Sequence, residues 1–174
     1  MNWVDRLLEV TGHQDLELDI DWGVVQGQLG ALLPGDFKRL CEAFGEGEFS
    51  AYLYVHSTRG GDRLDVVEEL NDLRATLATM LNRERAYEPY HLFEPGRGGL
   101  IPWARAVEEG VEFFWLAGDD DPAEWPVLAR KDPAEEWHSF AMGVPEFIYH
   151  MLTDADFSPF GITELFPEPS YEMY

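Results

Sequence analysis

Apolar and polar positions change period along this chain, and the changes divide it into a helical first half and a β-rich second half. Residues 2–10, NWVDRLLEV, space Trp3, Leu7 and Val10 as one helix face, with Leu8 beside them, and Gly12 as the stop. HQDLELDI is a polar link. Asp21 is placed to cap a helix over 22–29, whose face is Trp22, Val25 and Leu29, and Gly30 ends it. The next stretch, LPGDFKRLCEAFGEGEF, puts Leu33, Phe37, Leu40, Cys41 and Phe44 on one stripe. Pro34 suits the first helical position, Asp36 lies in the first turn, and Gly45 stands where a left-handed C-terminal cap belongs. EFSAYLYVHS (48–57) then alternates as a strand, with Phe49, Ala51, Leu53 and Val55 opposite Tyr52 and Tyr54.

After the turn STRGGDR, Val66, Leu70, Leu73, Leu77 and Leu81, with Met80, predict a helix over 64–83, capped by Asp62 or Asp65. From residue 89 the period becomes that of strands. HLF (91–93), LIPWARA (100–106), VEFFWLA (111–117), WPVLAR (125–130) and EWHSFAM (136–142) are separated by turn signals at hairpin spacing, which predicts a mostly antiparallel sheet. VPEFIYHML (144–152) is a closing helix with Phe147, Ile148 and Met151 buried. The tail from about 154 to 174 has enough apolar residues, Phe157, Phe160, Leu165 and Phe166, to pack on the fold. This order of elements agrees with a single α+β domain of 174 residues.

Charge changes the functional picture more than composition does. The net charge is −22, and it is uneven: residues 1–105 carry 18 acidic and 10 basic side chains, whereas 106–174 carry 16 acidic and only Arg130 and Lys131. Such a field repels phosphates, so nucleic acid and anionic membrane surfaces are excluded as partners, and a basic protein is favoured. No apolar run approaches the roughly 18 residues of a membrane span. With one cysteine, Cys41, on a core face and no secretory leader, the expectation is a reduced, cytoplasmic protein. Two lysines beside ten arginines, with many Ala and Gly, suit a GC-rich bacterial genome.

Chemistry is sparse. GEGEF follows a helix rather than preceding one, and Glu46 and Glu48 would repel a phosphate, so it is architecture and not a ligand loop. His13, His56, His91, His138 and His150 show no metal spacing, although a zinc site built from distant residues stays open. Asp119-Asp120-Asp121 lacks the alternation and central Gly of a calcium loop; it reads as a solvated turn, a partner surface or a cation site. No nucleotide or nucleophile motif is present, so no cofactor, metal or catalytic residue is assigned. Binding is placed on the acidic β-rich half: Glu108, Glu109, Asp119, Asp120, Asp121 and Glu124, with Trp115 and Trp125 as candidate aromatic anchors.

Asp21-Trp22, the start Leu33-Pro34-x-Asp36-Phe37-Lys38, the stop Phe44-Gly45-x-Gly47 and the later Trp- and Phe-rich strands together resemble the SMI1/KNR4 family of the SUKH superfamily. The resemblance covers about residues 20–165. It implies helices packed on one mostly antiparallel sheet. Many bacterial members look like immunity proteins that neutralise a cognate polymorphic toxin, often a nuclease or deaminase; fungal relatives resemble regulatory scaffolds. The resemblance thus implies a non-catalytic binding domain facing a basic toxin domain, with a toxin-free interaction scaffold as the alternative. Trp22, Leu33, Pro34, Asp36, Phe37, Phe44, Gly45 and Gly47 carry its signature as structural residues.

Overall fold

A computed structural model describes residues 1–174. Helix α1 (Trp3–Thr11) is opened by Asn2, whose side chain accepts the Asp5 N–H at 2.9 Å, and closed by Gly12 at φ 66°. Helix α2 (Trp22–Leu29) is capped by Asp21, which accepts from the Val24 N–H at 3.1 Å. Helix α3 runs Gly35–Phe44; Pro34 precedes its first turn rather than opening it. Leu33, Phe37, Leu40, Cys41 and Phe44 are all buried, as their spacing requires. The Trp22 indole N–H donates to Glu42 at 2.8 Å and pins α2 to α3.

The segment 48–57 is not one strand. Strands β1 (Gly47–Phe49) and β2 (Leu53–Val55) form a hairpin, because Ser50 and Ala51 both take left-handed backbone, φ 50° and 51°. Neither residue advertises that conformation, which costs an L-residue about 1–2 kcal/mol. Helix α4 (Asp65–Ala78) is shorter than its apolar stripe suggested. Met80 and Leu81 lie past its end, 47% and 92% exposed, and neither Asp62 nor Asp65 caps it.

Strands β3 (Gly99–Ala106), β4 (Glu112–Ala117), β5 (Val127–Arg130) and β6 (His138–Phe140) follow as antiparallel neighbours. Residues 91–93 contribute only a single bridge, Leu92 to Leu100. Helix α5 (Val144–Thr153) buries Phe147, Ile148 and Met151 completely. The tail docks through Phe160, with Phe157 and Phe166 half-buried, while Leu165 is 73% exposed against expectation. Its end forms strand β7 (Tyr171–Met173), which pairs with β1. The result is one seven-stranded antiparallel sheet, ordered β6-β5-β4-β3-β2-β1-β7, with five helices: an α+β fold.

Alternation along the strands gives the sheet two unlike faces. Phe49, Trp103, Phe113 and Trp115 point to α3 and α5, meeting Phe44, Phe147 and Phe37 at ring distances of 4.7–5.9 Å. The other face presents Tyr54, Arg105, Glu112 and Phe114. Toward β4–β6 it is covered by Tyr87 and Trp137, which close over Phe114 and over the buried guanidinium of Arg130. Near β2 and β3, α4 covers it only in part, and a groove remains. Gly47 has no space for a side chain because the Glu172 carbonyl of β7 and the Tyr171 ring lie against its Cα, which accounts for glycine at that signature position.

Candidate functional site

The acidic residues expected to bind do not converge. Glu108 and Glu109 lie in the β3–β4 turn, whereas Asp119, Asp120, Asp121 and Glu124 lie between β4 and β5. Consecutive hairpin turns fall at opposite ends of an antiparallel sheet, here about 20 Å apart along six-residue β4. Glu108 is also already engaged. It accepts from the Tyr52 phenol at 3.0 Å and Lys131 at 3.2 Å, and these hold its carboxyl below the usual range, the Tyr52 bond most of all. Asp121 caps the short turn Pro122–Glu124 through the Ala123 N–H at 2.9 Å.

Trp115 and Trp125 are not surface anchors; they are 1% and 6% exposed. The strand period that placed Trp115 in β4 turns it toward Phe37 of α3. Trp125 packs edge-on against Trp115. Asp119, Asp120 and the edge of Trp125 do border one cleft of about 240 Å³ beside Gly30 and Leu32.

The groove between α4 and the sheet is a different site, and the sequence carried its signal unread. Asp65, Glu68, Glu69 and Asp72 stand at i, i+3, i+4 and i+7, which aligns them on one face of α4, while Val66 and Leu70 are buried on the other. The sequence reading used the apolar stripe of this helix, with Asp65 as a possible cap, and did not join the four carboxylates into one row. Tyr54, His56 and Arg105 form the opposite wall, enclosing about 190 Å³ with the four carboxylates. A second hollow of about 450 Å³ continues from it past Asp65 and Glu68 to Glu46, Arg59 and Arg63.

Its electrostatics are unbalanced. Arg59 pairs with Glu46 and Arg63 with Glu68. The Tyr54 phenol lies 2.6 Å from Asp65 and 3.1 Å from Glu46, so its one proton serves two carboxylates. Burial raises the Asp65 carboxyl, with repulsion from Glu46 and Glu68 adding and the Tyr54 bond opposing. Burial also raises Glu69, with Asp72 adding and Arg105 opposing. Arg105 lies over the Tyr54 ring, 4.6 Å from its centre, and Tyr174 stacks on the same ring at 6.0 Å.

His56 is 3% exposed and borders the groove. Its backbone N–H is bound to the Trp103 carbonyl at 2.8 Å, but its ring makes no hydrogen bond to the protein. Burial first, and Arg105 second, push it down to about 3, so it is a neutral imidazole with a free acceptor nitrogen. Chemically, the groove offers acceptors on two walls and wants a cation. Cys41 is remote in purpose: it is buried and its thiol is pushed up to about 12 by desolvation. No three His, Cys, Asp or Glu side chains are grouped so as to hold a metal ion, and no helix is long and apolar enough to cross a membrane.

Comparison of the chain with protein-family models, curated proteins and solved structures finds no match in any of the three.

Proposed function

We propose that this chain is a non-catalytic binding domain of SMI1/KNR4 type, an immunity protein that neutralises a basic, nuclease-type toxin domain in the cytoplasm of the cell that makes it. The observation that carries the binding reading is the row Asp65, Glu68, Glu69 and Asp72: four carboxylates aligned on one helix face, Asp65 and Glu69 partly desolvated, with too few cations to balance them. A cationic surface laid on that row relieves the repulsion and gains from the net charge of −22 at longer range. The α+β order of elements and the structural roles of Trp22, Phe37, Phe44 and Gly47 support the family part of the reading. On this reading the binding surface is the α4 groove rather than the Asp119–Asp121 turn.

The test is titration with the basic C-terminal domain of a toxin encoded beside this gene, at two salt concentrations, with wild type and with the triple variant Glu68→Gln, Glu69→Gln, Asp72→Asn. Tight binding that weakens with salt, and an association rate about ten-fold slower in the variant, is the expected result. Tight binding indifferent to the variant removes the groove from the interface. Absence of binding to any such toxin, with capture of an endogenous basic protein through the groove, replaces immunity by the regulatory scaffold.

A further inference from the structure

We propose that the α4 groove is a receptor for one arginine side chain of the partner, whose guanidinium donates to the His56 ring and to the carboxylates of Asp65 and Glu69. The proposal rests on the basic-partner reading and deepens it. Two independent features of the groove point to the same guest. One is the carboxylate row on the α4 wall. The other is His56, 97% buried by its 3% exposure, which borders the same hollow with an imidazole that bonds to nothing. The residue is deeply set, yet its ring opens onto the hollow, where a guest can reach it. One nitrogen of a neutral imidazole accepts, so a donor on the guest can meet it.

The chain's own guanidinium does not fill this place. Arg105 rests on the Tyr54 ring and reaches neither His56 nor a carboxylate within bonding distance. It leaves Glu69 and its neighbour Asp72 with one cation between them. The acceptors lie on two walls, His56 just past the end of β2 and Asp65 and Glu69 on α4. A planar fork presents five N–H donors in several directions and so suits acceptors on more than one wall, whereas an ammonium is a compact point charge. A guanidinium is also more weakly hydrated, so it enters a half-buried groove at lower cost.

The test uses the full chain and Nα-acetyl-L-arginine amide as probe, followed by NMR of the His56 imidazole and of the amides from 65 to 72. The expected result is a saturable shift of both sets of signals. Nα-acetyl-L-lysine amide binds at least about five-fold more weakly. Glu69→Gln, at a partly exposed position that tolerates the change, weakens the arginine probe several-fold, and Arg105→Gln tightens it by removing a like charge. Unmoved His56 signals, or lysine and arginine probes of equal strength, overturn the proposal. If the arginine probe fails while neutralising the α4 row still slows a basic toxin, the arginine receptor falls and the basic-partner reading stands. If the arginine probe docks while the toxin ignores the row, the receptor stands and the immunity reading of this groove falls.

Discussion

Removing one charge from the α4 row should stabilise the fold. Glu69 has Asp65 four residues before it and Asp72 three residues after it, both on its own face of the helix. Each like-charge pair at these spacings costs a helix about 0.2–0.5 kcal/mol, so the two together cost about 0.4–1 kcal/mol, and Arg105 offsets part. Glu69→Gln keeps the shape and nearly the helix propensity. The net gain expected at pH 7 is therefore about 0.5 kcal/mol, which for a domain of this size is roughly 1–2 °C in Tm. The sign with pH follows from linkage. The Glu69 carboxyl is raised in the fold, so its charged form is disfavoured there relative to the unfolded chain. The penalty is full above its folded pKa and disappears as pH falls below the unfolded value. Thermal and urea unfolding of wild type and variant should thus differ at pH 7, converge near pH 4, and differ less in high salt. A variant that is less stable at pH 7, or whose gain persists unchanged near pH 4, refutes the claim that α4 is electrostatically strained.

Tyr171→Ala removes a ring packed on His13, Phe44 and Phe49 and a phenol that donates to the Phe44 and Gly45 carbonyls. It should cost about 2–4 kcal/mol by urea unfolding and speed amide exchange in β1; a loss under about 1 kcal/mol would show that β7 is only laid on the edge. Arg130→Ala leaves Glu112 without its ion pair and empties the space against Trp137, with an expected loss of about 3–5 kcal/mol, and adding Glu112→Leu should restore part of it. Asp119→Asn with Asp120→Asn should change stability by no more than about 0.5 kcal/mol and leave toxin association within about two-fold of wild type; a ten-fold slowing would return the interface to that turn.

What could be read from sequence was whatever a regular period controls. The stripe from Leu33 to Phe44, the caps at Asp21 and Gly30 and the hairpins of the second half follow from spacing alone, and they place the core. Two features lay outside any period. The Ser50–Ala51 turn uses left-handed backbone without glycine, so nothing in the letters marks it. Strand β7 is a long-range pairing with a partner over 120 residues away, which no local window contains. Trp115 and Trp125 were given to an interface by residue type, although the alternation of β4 already pointed Trp115 inward. The site itself was legible in part: Asp65, Glu68, Glu69 and Asp72 show helical spacing, but the facing wall of Tyr54, His56 and Arg105 exists only after the sheet is assembled.

How the chain distributes its few cations argues for the same place. Five of its arginines pair with carboxylates: Arg39 with Asp15, Arg59 with Glu46, Arg63 with Glu68, Arg97 with Glu94 and Arg130 with Glu112. Lys131 pairs with Glu108. Against that background, Glu69 and Asp72 stand next to each other on α4 with only Arg105 nearby, and Arg105 is held on Tyr54. A glutamine at 69 would fit the same helix and ease the repulsion, so stability alone gives no reason for the glutamate. Strain that a single conservative change would relieve is characteristic of sites where function and stability oppose one another. Glu69→Gln therefore separates the two demands in one protein: a higher Tm together with weaker capture of arginine means that the groove is kept charged for its guest.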